Sequence, residues 1–240
     1  VLGSAKGWAG AFKYNEKANI ALKNFFKRED TLSVGICNGC QLFMELELIN
    51  PEHKVHGKMI HNDSQKHESI FTSVKVQENN SVMLKTLAGA TLGVWVSHGE
   101  GKFNLPEAES HYTIVAKYAY EGYPTNPNGS DYNTAMMCDK TGRHLVMMPH
   151  IERSTFPWNW AFYPTDRKDE VSPWIEAFVN VTNLQLGYGA FSSIDISNKL
   201  ISFSFHFSLR LITSSLVRIL FLLIIVCWYL KQELVLLILY

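Results

Sequence analysis

The segment Leu32-Ser33-Val34-Gly35-Ile36-Cys37-Asn38-Gly39-Cys40-Gln41-Leu42-Phe43 constrains this chain more than any other. An apolar run breaks at glycine, presents a cysteine, passes a second glycine and resumes as an apolar run. Gly-x-Cys-x-Gly at a strand end forces a tight turn that only small residues tolerate, and it delivers the thiol to the exposed start of a helix. There the helix dipole favours thiolate over thiol. Strand, sharp turn and helix form the unit of parallel-sheet folds, so the segment predicts an α/β protein with a cysteine nucleophile at its turn.

Cys37 and Cys40 also spell C-x-x-C, a spacing that a redox pair or half a zinc site would use. A zinc site needs a second close pair of ligands, and Cys138 and Cys227 are isolated from each other and from any tight histidine spacing. A thioredoxin-like pair follows the first strand of a small βαβ unit and lacks flanking glycines such as Gly35 and Gly39. The nucleophile is favoured, and the redox, metal and buried-thiol readings stay open.

With 240 residues the chain can hold one domain with a sizeable core, or one domain plus a tail. Its 22 basic and 22 acidic side chains give no global field for nucleic acid. Four irregularly spaced cysteines do not make a secreted disulfide framework, which points to a reducing compartment and a cytoplasmic location. The opening Val1-Leu2-Gly3-Ser4-Ala5-Lys6-Gly7-Trp8 has neither Met nor a signal-peptide design, so a piece of a longer protein is expected.

Helical spacing over residues 19–28 predicts a helix that feeds the strand at Leu32, and the run 42–48 continues the helix after the turn until Asn50-Pro51 closes it. Strand-like runs follow at 69–76, 93–97, 113–118, 134–138 and 145–148. Turn clusters at 123–130 and 139–142 bracket the 134–138 run and predict a hairpin beside the sheet. A last helix is expected over 173–184, capped by Ser172, with Trp174, Phe178 and Val181 on one face.

From about Tyr188 the composition shifts to Ser, Phe, Leu and Ile, with few charges. The longest uncharged apolar run, 219–230, is shorter than the roughly 20 residues a membrane helix needs. Residues 188–240 therefore read as an extension outside the fold rather than a membrane anchor, and residues 1–187 as the domain.

A cysteine nucleophile needs a base and a carboxylate to orient it. His-x-Glu at a strand end supplies both, and two copies occur: Ser97-His98-Gly99-Glu100-Gly101 and Pro149-His150-Ile151-Glu152-Arg153. Both follow apolar runs, and spacing alone does not choose between them. His53, His56, His61, His67 and His111 are scattered among polar residues and read as surface histidines.

Gly35-Ile36-Cys37-Asn38-Gly39-Cys40-Gln41 with a late His150-Ile151-Glu152 resembles the class I glutamine amidotransferase signature. The blocks Val1 to Ala9, Ser97 to Gly101, Tyr123-Pro124 with Asn126 to Ser130, and Ser172-Pro173-Trp174 resemble the C-terminal domain of the phosphoribosylformylglycinamidine synthase family. The resemblance covers about residues 1–186. It implies a flavodoxin-like α/β domain with a mostly parallel sheet, helices on both faces, and the first strands lying upstream of Val1. It further implies that Cys37 attacks glutamine, that His150 is its base and acid, and that Glu152 orients His150. Gln41 would help hold the substrate, and the backbone N–H of Asn38 would be one oxyanion donor.

The family's partner for such a domain is a synthetase domain of the same chain, which uses ATP and Mg2+ to put the ammonia into formylglycinamide ribonucleotide during purine synthesis. This chain itself would hold no cofactor and no metal. Two departures stand out. Ile151 replaces the family's second proline, which loosens the turn but keeps both side chains. The segment supplying the other oxyanion donor lies upstream, and losing one donor costs on the order of a hundredfold or more in rate. Alone, the chain is then at most a weak glutaminase, and a truncated, inactive binding module is the alternative.

Overall fold

The computed structural model describes residues 3–185 and 235–239. Helices α1 (Ser4–Tyr14) and α2 (Glu16–Lys27) lead into β1 (Thr31–Ile36) and α3 (Asn38–Glu45). There follow β2 (Lys58–Ile60), β3 (Glu68–Val76), β4 (Thr91–His98), β5 (Lys102–Asn104), β6 (Thr113–Tyr118), β7 (Thr134–Cys138) and β8 (His144–Met147). Helix α4 (Ile175–Gln185) and strand β9 (Val235–Leu239) complete the described elements. Strands β6 and β7 coincide with the expected runs, and β3, β4 and β8 lie within two residues of theirs.

Two helices differ from expectation. Helix α1 was not legible, because its 11 residues mix Gly, Ala and Lys without a strong apolar stripe; its buried contacts are the small Ala5 and Ala9, one turn apart. Helix α3 stops at Glu45 rather than running through Leu48. Glu47 turns left-handed at φ 59°, and the Leu48 N–H reaches back to the Phe43 carbonyl at 3.0 Å, a closure that satisfies the last carbonyls of the helix.

Seven strands pair in the order β4-β3-β6-β7-β8-β1-β9, and β2 with β5 forms a separate two-stranded ribbon. Strand β1 is parallel to β8 and to β9, whereas the β4/β3, β3/β6, β6/β7 and β7/β8 pairs are antiparallel. The α/β fold stands, but the sheet is mixed where a mostly parallel one was expected. A parallel pair needs a crossover of about a dozen or more residues, usually helical. Between α3 and α4 no described segment forms an α-helix, and β7 returns to β8 through residues 139–143 alone, so those strands pair as hairpins.

Every residue of β1 is buried, because helices cover both of its faces. Leu32, Val34 and Ile36 pack with Leu145, Met147, Trp174 just before α4, and Ala177 and Val181 of α4. Toward the other face, Ala5 and Ala9 of α1 pack with Leu42 and Phe43 of α3, Val146 and Met148. The alternation in β1 and β8 thus splits the core into two layers and fixes β1 in the middle.

Of the expected extension 188–240, only residues 235–239 are described. Residues 235–239 run parallel to β1, Thr31 opposite Val235 through Gly35 opposite Leu239. Val235-Leu236-Leu237-Ile238-Leu239 is a short apolar run, and its backbone pairs the edge that β1 presents beyond β8. No helix among the described residues is long and apolar enough to cross a membrane, and the 219–230 run lies outside them.

Candidate active site

The turn after β1 is built by crowding. Gly35 lies so near α3 that an added Cβ would stand 2.7 Å from the Gly39 carbonyl oxygen, closer than packed atoms approach. Strand and helix therefore meet at a sharp corner, and Cys37 sits on it at φ 53° and ψ −103°, an unfavourable conformation for a side-chain-bearing residue. The Cys37 N–H donates to the Met147 carbonyl at 2.8 Å, which ties the corner to the end of β8. Its carbonyl accepts from Gln41 N–H at 3.1 Å, which starts α3. The half-buried thiol lies 3.6 Å from the Ser97 carbonyl.

His150 arrives three residues beyond the end of β8. Its backbone N–H donates to the Trp95 carbonyl of β4 at 2.8 Å, so the loop is stitched across the site. Ile151 to Arg153 form a single 3-10 turn, with Ile151 fully buried as its anchor. That turn brings Glu152 back onto His150, Nδ1 to Oε1 at 2.6 Å. The imidazole is 3% exposed, and burial disfavours its charged form. The adjacent Cys37 sulfur and the Glu152 carboxylate outweigh burial and push His150 up to about 9. Arg153 Nε stands 3.6 Å from the same Glu152 oxygen.

The other expected residues also converge. Asn38 is the first residue of α3, where backbone N–H groups lack intrahelical partners, and its Oδ1 accepts from Ser4 Oγ at 2.8 Å. Gln41, one turn along α3 and 8% exposed, donates Nε2 to the Glu100 carbonyl at 2.7 Å. Its amide is thereby oriented with the oxygen left to accept. Residues 97–101 therefore touch both the thiol and Gln41.

Cys40 is fully buried; desolvation, and secondarily the neighbouring Cys37, hold its thiol well above the usual range, which removes it as a competing nucleophile at neutral pH. Cys37, Cys40 and Cys138 form no disulfide, and among the described residues no group of three or more His, Cys, Asp or Glu is arranged to hold a metal ion. His98 enters the same region but not as a copy of His150. Its ring is 3% exposed, neither nitrogen has a hydrogen-bond partner among the described residues, and burial lowers it to about 4. Glu100 turns away, accepting from the Gly3 N–H at 3.2 Å and pairing with His61 Nε2 at 3.7 Å. His67, read from sequence as a surface histidine, stands 3.1 Å from the Ser97 hydroxyl. Asn62, fully buried beside the 97–101 segment, carried no sequence signal beyond the turn-forming habit of asparagine, and the equally buried Asn128 entered only as part of the 126–130 block.

Sheet, corner cysteine and oriented histidine are the features of a glutamine amidotransferase-like α/β domain. A family model for the CobB/CobQ-like glutamine amidotransferase domain matches residues 1–184, and the chain belongs to that family. Among curated relatives, a probable phosphoribosylformylglycinamidine synthase, chloroplastic/mitochondrial, of Arabidopsis thaliana is 41% identical over 202 residues, 75% of this chain and 14% of that one. The phosphoribosylformylglycinamidine synthase of Homo sapiens is 38% identical over 213 residues, 78% of this chain and 16% of that one. The chain thus spans about one-seventh of the length of these relatives. In fold it is similar to PurLQS from Thermotoga maritima, with a TM-score of 0.55, 21% identity, and coverage of 73% of this chain and 72% of that one.

Proposed function

We propose that this chain is the glutaminase part of a phosphoribosylformylglycinamidine synthase, with Cys37 as nucleophile, His150 as base and acid, and Glu152 as the group that orients His150. The observation that carries the proposal is the convergence of Cys37 with a buried His150 whose Nδ1 is held by Glu152 at 2.6 Å. With Nδ1–H committed to Glu152, Nε2 is the nitrogen that takes the thiol proton. The thiolate attacks the glutamine side-chain carbonyl carbon, and the oxyanion forms beside the Asn38 N–H at the positive end of α3. The raised affinity of His150 for its proton keeps that proton available until the C–N bond breaks and it leaves with ammonia. Water then cleaves the thioester to glutamate, with His150 again as base.

In this proposal the ammonia passes to a synthetase portion, where ATP and Mg2+ support its replacement of the formamide oxygen of formylglycinamide ribonucleotide. The relatives that share 38–41% identity carry that enzyme's name, and they supply the support for this step. Free thiols at Cys37, Cys40 and Cys138 fit a reducing, cytoplasmic setting. Treatment with a diazo-ketone analogue of glutamine, followed by peptide mass spectrometry, tests the assignment directly. Modification is expected at Cys37; modification at Cys40 in its place would overturn it. In a full-length protein, His150→Ala should abolish glutamine-dependent amidine formation and spare the ammonia-dependent reaction.

A further inference from the structure

We propose that Asn62 is a positioning residue for the glutamine site, acting through the 97–101 segment; this rests on the glutaminase assignment above. Four groups of that segment face the chemistry or its neighbours. The Ser97 carbonyl meets the Cys37 thiol, the Glu100 carbonyl fixes the Gln41 amide, and Gly101 packs against the His98 ring. Strand β4 ends at His98, where Ser97 and His98 still pair with β3, so the sheet does not set the course of residues 99–101. Asn62 does.

Its side chain bridges the segment as a peptide group would. Nδ2 donates to the His98 carbonyl at 2.8 Å, and Oδ1 accepts from the Gly101 N–H at 3.0 Å. The second Nδ2 proton goes to the Lys66 carbonyl at 2.9 Å, and the Asn62 backbone N–H donates to the Gly99 carbonyl at 3.0 Å. Three consecutive peptide units of the segment are therefore held by one residue that is 0% exposed. On the far side Asn128 Nδ2 donates to the Gly101 carbonyl at 2.7 Å, which closes the clamp.

The side-chain requirement is narrow. Bridging a carbonyl and an N–H three residues apart takes a short planar group that donates and accepts at once, which among side chains of this length is the carboxamide. Aspartate keeps the acceptor toward Gly101 and turns the donor into a second acceptor facing the His98 carbonyl. The buried conflict moves residues 98–101, and with them the Glu100 carbonyl that meets Gln41. Shifts of about 1 Å at such contacts cost on the order of a hundredfold in a positioned reaction. Binding of glutamine suffers while the thiol itself remains intact.

The test compares two electrophiles on the 240-residue chain: the diazo-ketone glutamine analogue, which must bind first, and iodoacetamide, which needs only the thiol. Asn62→Asp is expected to slow Cys37 labelling by the analogue by about tenfold or more, mainly through weaker saturable binding, with iodoacetamide within about threefold of the parent chain. As pH falls from about 8 toward 5.5, the analogue rate relative to the parent should recover, because a protonated carboxyl again offers one donor and one acceptor. If Asn62→Asp does not melt cooperatively, Asn62→Ser is judged by the same ratio.

An analogue rate within about threefold of the parent in a folded variant overturns the proposal, as does equal slowing of both electrophiles, which marks a general loss of structure. Absence of analogue labelling at Cys37 in the parent chain is a separate result. It overturns the glutaminase assignment, and the role of Asn62 with it.

Discussion

The His150-Ile151-Glu152 and His98-Gly99-Glu100 segments share a spacing, a setting at the end of an apolar strand, and a common neighbourhood, yet only one forms a pair. At His150 the chain enters a 3-10 turn whose tight winding brings Glu152 back onto His150, giving the 2.6 Å contact. At His98 the chain leaves β4 through two glycines, the imidazole is driven inward against Gly101, and Glu100 is directed to Gly3 and His61. Identical residue types thus acquire opposite electrostatics. One histidine, beside a carboxylate and a sulfur, is held protonated up to about 9; the other, buried without a partner, stays neutral down to about 4.

The largest expected effect follows directly. His150→Asn should lower Cys37 labelling by the glutamine analogue by roughly 10²- to 10⁴-fold, the range for loss of a general base and acid. A larger loss for His98→Asn than for His150→Asn would reverse the roles given to the two segments. Glu152→Gln comes next, at on the order of a hundredfold, because the carboxamide leaves His150 without its charge partner. The sharper readout is the pH profile of Cys37 alkylation: the alkaline limb set by His150 near 9 should move toward ordinary histidine values.

Stability should separate the two histidines with opposite signs. His150 binds its proton more tightly folded than unfolded, so its contribution is complete below pH 6.5 and is lost as pH rises through about 9. His98 binds a proton more weakly when folded, so stability is lost as pH falls from 6.5 toward about 4, where the unfolded chain takes a proton that the folded one refuses. Each swing is on the order of 3 kcal/mol. Denaturant midpoints measured across pH should show the alkaline loss shrink in His150→Asn and the acid loss shrink in His98→Leu. Glu100→Gln is the smallest case: its partly exposed pairing with His61 should be worth less than about 1 kcal/mol in the denaturant midpoint at neutral pH.

How much of this was legible follows the range of the forces involved. The corner at Cys37 could be read because its cause lies within five residues: Gly35 must admit the backbone of Gly39, and no other residue type does so. Strands β6 and β7 were readable for a similar reason, since their alternation and flanking turns are local. Strand direction was not. The Cys37 corner announced a parallel unit, and it is one where β1 meets β8 and β9, but strands β3, β4, β6, β7 and β8 pair antiparallel with one another because short connections leave no room for crossovers. Asn62 was invisible because an isolated asparagine in a polar stretch signals only a turn, while its bonds to His98, Gly99 and Gly101 span roughly forty positions of sequence.

The sequence by itself determined the nucleophile corner, the strands that carry it and the candidates for its partners, because glycine sterics and side-chain periodicity act between near neighbours. Only the tertiary structure decided which His-x-Glu pair meets Cys37, that Cys40 is sealed away, and that residues 235–239 line the edge of β1. Those outcomes depend on burial and on contacts between distant segments. Desolvation and charge pairing take their sign from the surroundings of a side chain, and those surroundings exist only after folding.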